Sequence, residues 1–110
     1  MRVYRVEHHR KRHGPYQYSE VIEIVPFIPR RQPLPQRDGI TDPKMIDMHF
    51  GFESVRQMLD WFDAKVLDAL KAYGYIVAAY EVDGAHMLRG RCQVCFLKEK
   101  AVLVSEEVSY

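Results

Sequence analysis

The stretch SVRQMLDWFDAKVLDALKAYG, residues 54–74, decides the fold. Ser54 suits an N-cap, and Gln57 three residues later completes a capping-box pattern. Val55, Met58, Leu59, Phe62, Val66, Ala69, Leu70 and Tyr73 share about 120° of arc at helical spacing. Such a stripe must cover a core. Asp60 and Asp68 lie away from it, Asp63 lies just past its edge, and Trp61 and Leu67 flank it on opposite sides. Gly74 suits the position that ends a helix. The spacing predicts one long amphipathic helix over residues 55–73.

Downstream, residues 75–82 are β-branched and aromatic and read as a largely buried strand. Asp83-Gly84 turns the chain, and residues 91–97 form the next strand, with Cys92, Val94 and Phe96 on one face. Residues 101–105 supply a last strand. A helix followed by three consecutive strands predicts an antiparallel meander beneath the helix. Upstream, residues 2–7 alternate as a strand, with Val3, Arg5 and Glu7 on one face and Arg2, Tyr4 and Val6 on the other. Residues 8–13 are polar, Gly14-Pro15 marks a turn, and residues 20–25 read as a further extended segment. Pro26, Pro29, Pro33 and Pro35, followed by Asp38-Gly39 and Asp42-Pro43, make residues 26–44 a long proline-rich loop with polyproline-like character. The expected fold is α+β, a small and mostly antiparallel sheet packed against one long amphipathic helix, in a single domain over residues 1–110.

The bulk composition bounds function by exclusion. A chain of 110 residues with 47% hydrophobic and 12% aromatic content is not disordered as a whole. No apolar run approaches the ~20 residues of a membrane span, and the N-terminus has no apolar signal core. The expected location is cytoplasmic, with no membrane partner. Two cysteines do not make a disulfide scaffold. The formal net charge of +1 conceals a segregation. Residues 1–37 carry +5 and residues 38–110 carry −4.

The run from His8 to His13 places Arg10, Lys11 and Arg12 between three histidines. Clustered cations of this kind meet phosphates or an acidic protein surface, and Tyr16 and Tyr18 are close enough in sequence to stack on bases. The plainer alternative is a solvated loop between two strands. Arg30, Arg31 and Arg37 form a second basic group in the proline loop. Pro26-Phe27-Ile28-Pro29-Arg30-Arg31 also fits a Pro-x-x-Pro-x-Arg ligand pattern, against the simpler reading of prolines that stiffen a loop. Cys92 and Cys95, at i and i+3 on a predicted strand, point to opposite faces, so no zinc site is expected. Glu106 and Glu107 read as a solvated chain end, and His49 and His86 stand alone. No phosphate loop, nucleophile elbow or HExxH is present, so no residue is assigned a catalytic role.

Three segments together resemble the ADP-ribosyltransferase-like fold of small phage and bacterial domains. They are Val3-Tyr4-Arg5-Val6; His49-Phe50-Gly51-Phe52-Glu53-Ser54 with Gln57 and Trp61-Phe62; and Gly90-Arg91-Cys92-Gln93-Val94-Cys95-Phe96. The resemblance implies that Arg5 would hold a phosphate or ribose of NAD and that Ser54 would support the nicotinamide pocket. The late strand should then present a catalytic glutamate, but Gln93 and Cys95 stand there and Glu99 comes only after it. A neutral amide cannot stabilise a developing positive charge. The resemblance therefore leaves two alternatives: binding of NAD or ADP-ribose at Arg5, Ser54 and Gln93 with the catalytic acid missing, or a likeness of fold alone.

Two functions follow. The first is a non-enzymatic interaction protein without a cofactor, in the manner of a phage-type inhibitor or modulator of a host factor or defence complex. It would bind a protein or nucleoprotein partner, with direct nucleic-acid contact left open, through Arg10, Lys11, Arg12, Tyr16, Arg30, Arg31 and Trp61. Arg and Trp recur among interface hot spots. The alternative is the NAD-binding protein just described.

Overall fold

A computed structural model describes residues 1–17 and 32–110. The expected strand over residues 20–25, Tyr18, Pro26, Pro29, Arg30, Arg31 and the Pro-x-x-Pro-x-Arg pattern lie outside the described residues. The architecture is α+β, as the sequence predicts, but its sheet is split in two. Strands β1 (Arg2–His8), β3 (Tyr75–Glu81) and β6 (Val102–Ser105) form sheet one in the order β1-β3-β6. Strands β2 (His49–Gly51), β5 (Val94–Phe96) and β4 (Met87–Arg89) form sheet two in the order β2-β5-β4. Every pairing is antiparallel.

The expected meander is not formed. The short strand β4, unsignalled by periodicity over only three residues, takes β5 as its partner, with Leu88 opposite Cys95. β5 thereby leaves β3 free to pair with β1 and β6. The two sheets join where Tyr4 and Phe52 exchange backbone hydrogen bonds of 2.7 Å in both directions. Gly51 permits this approach, because a Cβ there would sit 2.7 Å from Val3 and 2.8 Å from the Tyr4 carbonyl.

The helical stretch is two helices, not one. α1 covers Val55–Trp61 and α2 covers Ala64–Lys71. Phe62 (φ −116°, ψ 109°) and Asp63 (φ −69°, ψ 168°) between them are extended. The cause is a second N-cap: the Asp63 carboxylate accepts from the Val66 N–H at 2.9 Å. Ser54 caps α1 as predicted, accepting from Gln57 N at 3.0 Å, and Gln57 reaches back to accept from Glu53 N. The break resets the helical phase. Leu67 and Leu70 turn inward in α2, while Ala69 and Tyr73 turn out. Leu67, off the single-helix stripe, thus becomes core. Gly74, with φ +88°, ends the segment.

The alternation of β1 decides what lies on each face of sheet one. Val6, Tyr75 and Val77 face the helices and pack in a cluster with Met58, Phe62, Leu67 and Leu70. Val3, Ala78 and Tyr80 face sheet two and pack with Met87, Val94 and Phe96. Each fully buried Val, Leu, Phe or Met among them contributes roughly 1.5–3 kcal/mol. The described part of the proline-rich loop, residues 32–44, is packed against this body and does not extend as polyproline. Gln32, Asp38 and Ile40 are buried, and tight helical turns form at Pro35–Arg37 and Pro43–Asp47. No helix among the described residues is long and apolar enough to cross a membrane.

Candidate functional site

Arg5 and Glu7 point from β1 toward sheet two, into apolar surroundings. Glu7 is fully buried. A lone carboxylate there would be costly, and four donors surround it. Arg5 Nε donates to Oε1 at 3.0 Å, Arg12 donates to Oε2 at 3.0 Å, and the Tyr80 hydroxyl donates to Oε2 at 2.6 Å. Lys98 Nζ lies 3.2 Å from Oε1. Ala78, opposite Arg5 in the register, adds only a methyl group between Tyr80 and the carboxylate.

The electrostatics follow from burial and from crowding of like charges. Burial lowers the Arg5 pKa against the opposing pull of Glu7. Burial also lowers that of Lys98, with Glu7 raising it and Arg5 and Arg12 lowering it further. Arg12 shifts up, chiefly through its hydrogen bond to Glu106 and with help from Glu7. Burial and then the bond to Glu7 push the Tyr80 hydroxyl well above the usual phenol range, so it remains a donor. Every buried side-chain donor and acceptor among the described residues has a partner. The cluster is therefore a closed knot, with no vacant group for a substrate.

One member of this knot belongs to the basic run. Arg12 (φ +61°) turns inward to Glu7, to Glu106 and, through its carbonyl, to Lys98 Nζ at 3.2 Å. Its neighbours Arg10 and Lys11 are exposed at the tip of the same loop. The loop is tightly bonded: His8 N donates to His13 O and Arg12 N to His8 O, both at 2.9 Å. His8 Nδ1 accepts from the backbone N–H of Arg10 at 3.1 Å and of Lys11 at 3.2 Å, as an Asn or Asp does in a tight turn. His8 lies against His9, His13 and the edge of Tyr75, with ring centroids 4.9, 5.2 and 5.5 Å away. His9 N donates to the Gly74 carbonyl at 2.9 Å. Burial, then His9 and His13, lower the His8 pKa, so its Nδ1 stays an acceptor at neutral pH.

The other candidate residues are dispersed. Trp61 is half-buried against Phe52, and its indole N–H donates to the Tyr16 hydroxyl at 2.9 Å. Tyr16 is exposed and stacks on Phe62. These two form one aromatic corner. Arg5 is committed to Glu7 and to the Phe50 carbonyl at 2.7 Å, Ser54 to its helix, and the Gln93 amide to the Pro33 carbonyl at 2.8 Å. The groove between α2 and the last residues of the chain is lined by His9, Lys71, Glu106 and Tyr110, among others, and by none of Arg5, Ser54 or Gln93. Among the described residues no group of three His, Cys, Asp or Glu side chains could hold a metal.

Sequence reasoning missed two residues. Glu7 gave a signal, since its strand face begins with Val3 and a core-facing position carries a charge. Asp38 gave only a turn signal. In the structure its buried carboxylate accepts from the backbone N–H of Cys92 (2.9 Å) and Gln93 (3.2 Å), pinning the turn between β4 and β5.

The chain is thus a small α+β body with a closed internal ion cluster and a hydrogen-bonded basic loop. Residues 1–109 match the family model described as Bacteriophage T4 Y00F protein, and the chain belongs to that family. It is accordingly a phage-type protein. No curated protein and no solved structure matches it.

Proposed function

We propose that the chain is a non-enzymatic interaction protein that acts as an inhibitor or modulator of a host factor or defence complex. It works in the cytoplasm, without a cofactor, and occupies an acidic or phosphate-bearing surface of a protein or nucleoprotein partner. Arg10 and Lys11 carry the contact, and Tyr16 and Trp61 add an aromatic edge. Arg30 and Arg31 join them if their segment lies beside the loop.

The observation that supports this reading is the exposure of Arg10 and Lys11 on a loop that Arg12 anchors to Glu7 and Glu106. The loop backbone is fixed by hydrogen bonds at both ends. A preordered cationic tip binds an anionic surface without the entropic cost of ordering a loop. The NAD-binding alternative has less support, because Arg5, Ser54 and Gln93 already serve as framework partners.

The test is capture from bacterial cytosol at several salt concentrations, with the wild-type chain and an Arg10→Ala/Lys11→Ala variant as baits. A partner held by the wild type, released as salt rises and lost to the variant is the expected result. Equal capture by both baits overturns the reading.

A further inference from the structure

Sheet one ends on β6, which among the described residues pairs with β3 alone. Its aliphatic residues are exposed on both faces: Val102 at 64%, Leu103 at 38% and Val104 at 47%. An edge strand with apolar side chains and an unpaired row of backbone donors and acceptors is a template for another strand. No charge or proline interrupts residues 101–105. Natural edges are usually blunted by such residues.

The flanks of β6 say which strand fits. Lys98, Glu99 and Lys100 precede it, a net charge of +1, and Glu106 and Glu107 follow it, a net charge of −2. A parallel copy of β6 would set lysines beside lysines and glutamates beside glutamates. An antiparallel copy sets the basic end of each strand beside the acidic end of the other. Lys100 and Glu107 are exposed, and Glu106 is held at the edge by Arg12.

We propose that β6 is a self-association edge, on which a second copy of this chain pairs its own β6 antiparallel about a two-fold axis. Such an axis requires one residue to face itself. Centring on Leu103 sets Val102 opposite the second copy's Val104 and brings the turn at Lys98–Lys100 of each copy beside Glu106 and Glu107 of the other. Two three-stranded sheets then become one sheet of six strands, and both β6 edges are closed.

Sedimentation equilibrium of the full chain over roughly a hundredfold range of concentration should show a monomer–dimer equilibrium. Lys100→Glu, which sets like charges across the pairing, should weaken the dimer about tenfold. Val104→Lys should leave a monomer with unchanged circular dichroism. Leu103→Cys should give a covalent dimer under mild oxidation that the wild type, with its own two cysteines, does not give, because opposed strand positions lie about 4.5–5.5 Å apart at Cα. A wild-type chain that stays monomeric throughout overturns the proposal. So does a dimer that Lys100→Glu and Val104→Lys leave unchanged, or one that Leu103→Cys does not cross-link.

Discussion

The Tyr80 hydroxyl donates to the Glu7 carboxylate over 2.6 Å, in the closed space between the two sheets. The same carboxylate holds Arg5 from its own strand, Arg12 from the basic loop and Lys98 from the turn before β6. One buried charge therefore ties the loop to the core. A buried ion cluster of this kind adds little net stability over an apolar packing, but breaking it is costly, because the partners are left as uncompensated charges.

Replacing Glu7 by Gln should therefore destabilise the chain by about 3–5 kcal/mol. Tyr80→Phe removes one hydrogen bond to a charged group and should cost less, about 1.5–3 kcal/mol. Urea denaturation measures both. Equal stability of Glu7→Gln and the wild type would show that the cations are solvated and the knot is not closed.

Acid should loosen the basic loop. The folded chain holds the His8 and His49 pKa values below the usual histidine value, chiefly through burial. The unfolded chain takes up these protons near pH 6.5, and the folded chain takes them up only at lower pH. Stability is thus full above about pH 6.5 and falls as pH drops through the folded values. The melting temperature should decline as pH falls below about 6.5, and less steeply in His8→Asn. Asparagine can accept the Arg10 and Lys11 N–H groups without titrating. An identical decline in the variant would show that His8 does not set the acid response.

The break between α1 and α2 has its own test. Asp63→Ala removes an N-cap and should cost about 1 kcal/mol. In one continuous helix the same change would place the best helix former at an interior position and stabilise the chain. The sign of the change, read by thermal or urea denaturation, separates the two arrangements.

What the sequence made legible follows from the length of each pattern. The alternation of β1 was readable over six residues, and it placed Val3, Arg5 and Glu7 on one buried face as observed. The cap at Ser54 was readable because Gln57 completes it. The break at Phe62 and Asp63 was hidden, because the apolar residues on either side fit one helical stripe as well as two. It does leave a trace, since Phe62 before the Asp63 cap and Leu67 after it follow the hydrophobic-staple spacing, and both lie in one core cluster. β2 and β4 span three residues each, too few for periodicity to register, so the second sheet was invisible. For the candidate site, the exposure of Arg10 and Lys11 was legible as a polar run. Arg12 turns inward to Glu7, five residues away, and is also held by Glu106, 94 residues away in sequence; local patterning carries no information about the second contact.

Under the proposed function Arg10 and Lys11, held out by a loop that Arg12 and Glu7 anchor, are the binding cations. The most direct measurement is the salt dependence of affinity for two labelled polyanions, polyglutamate and a duplex oligonucleotide, with the wild-type chain and Arg10→Ala/Lys11→Ala. The wild type should bind at least one probe. The variant should keep the wild-type melting temperature and bind more weakly, with the slope of log affinity against log salt reduced by about two on the duplex. Superimposable salt curves for the two chains, or a wild type that binds neither probe at low salt, would contradict it.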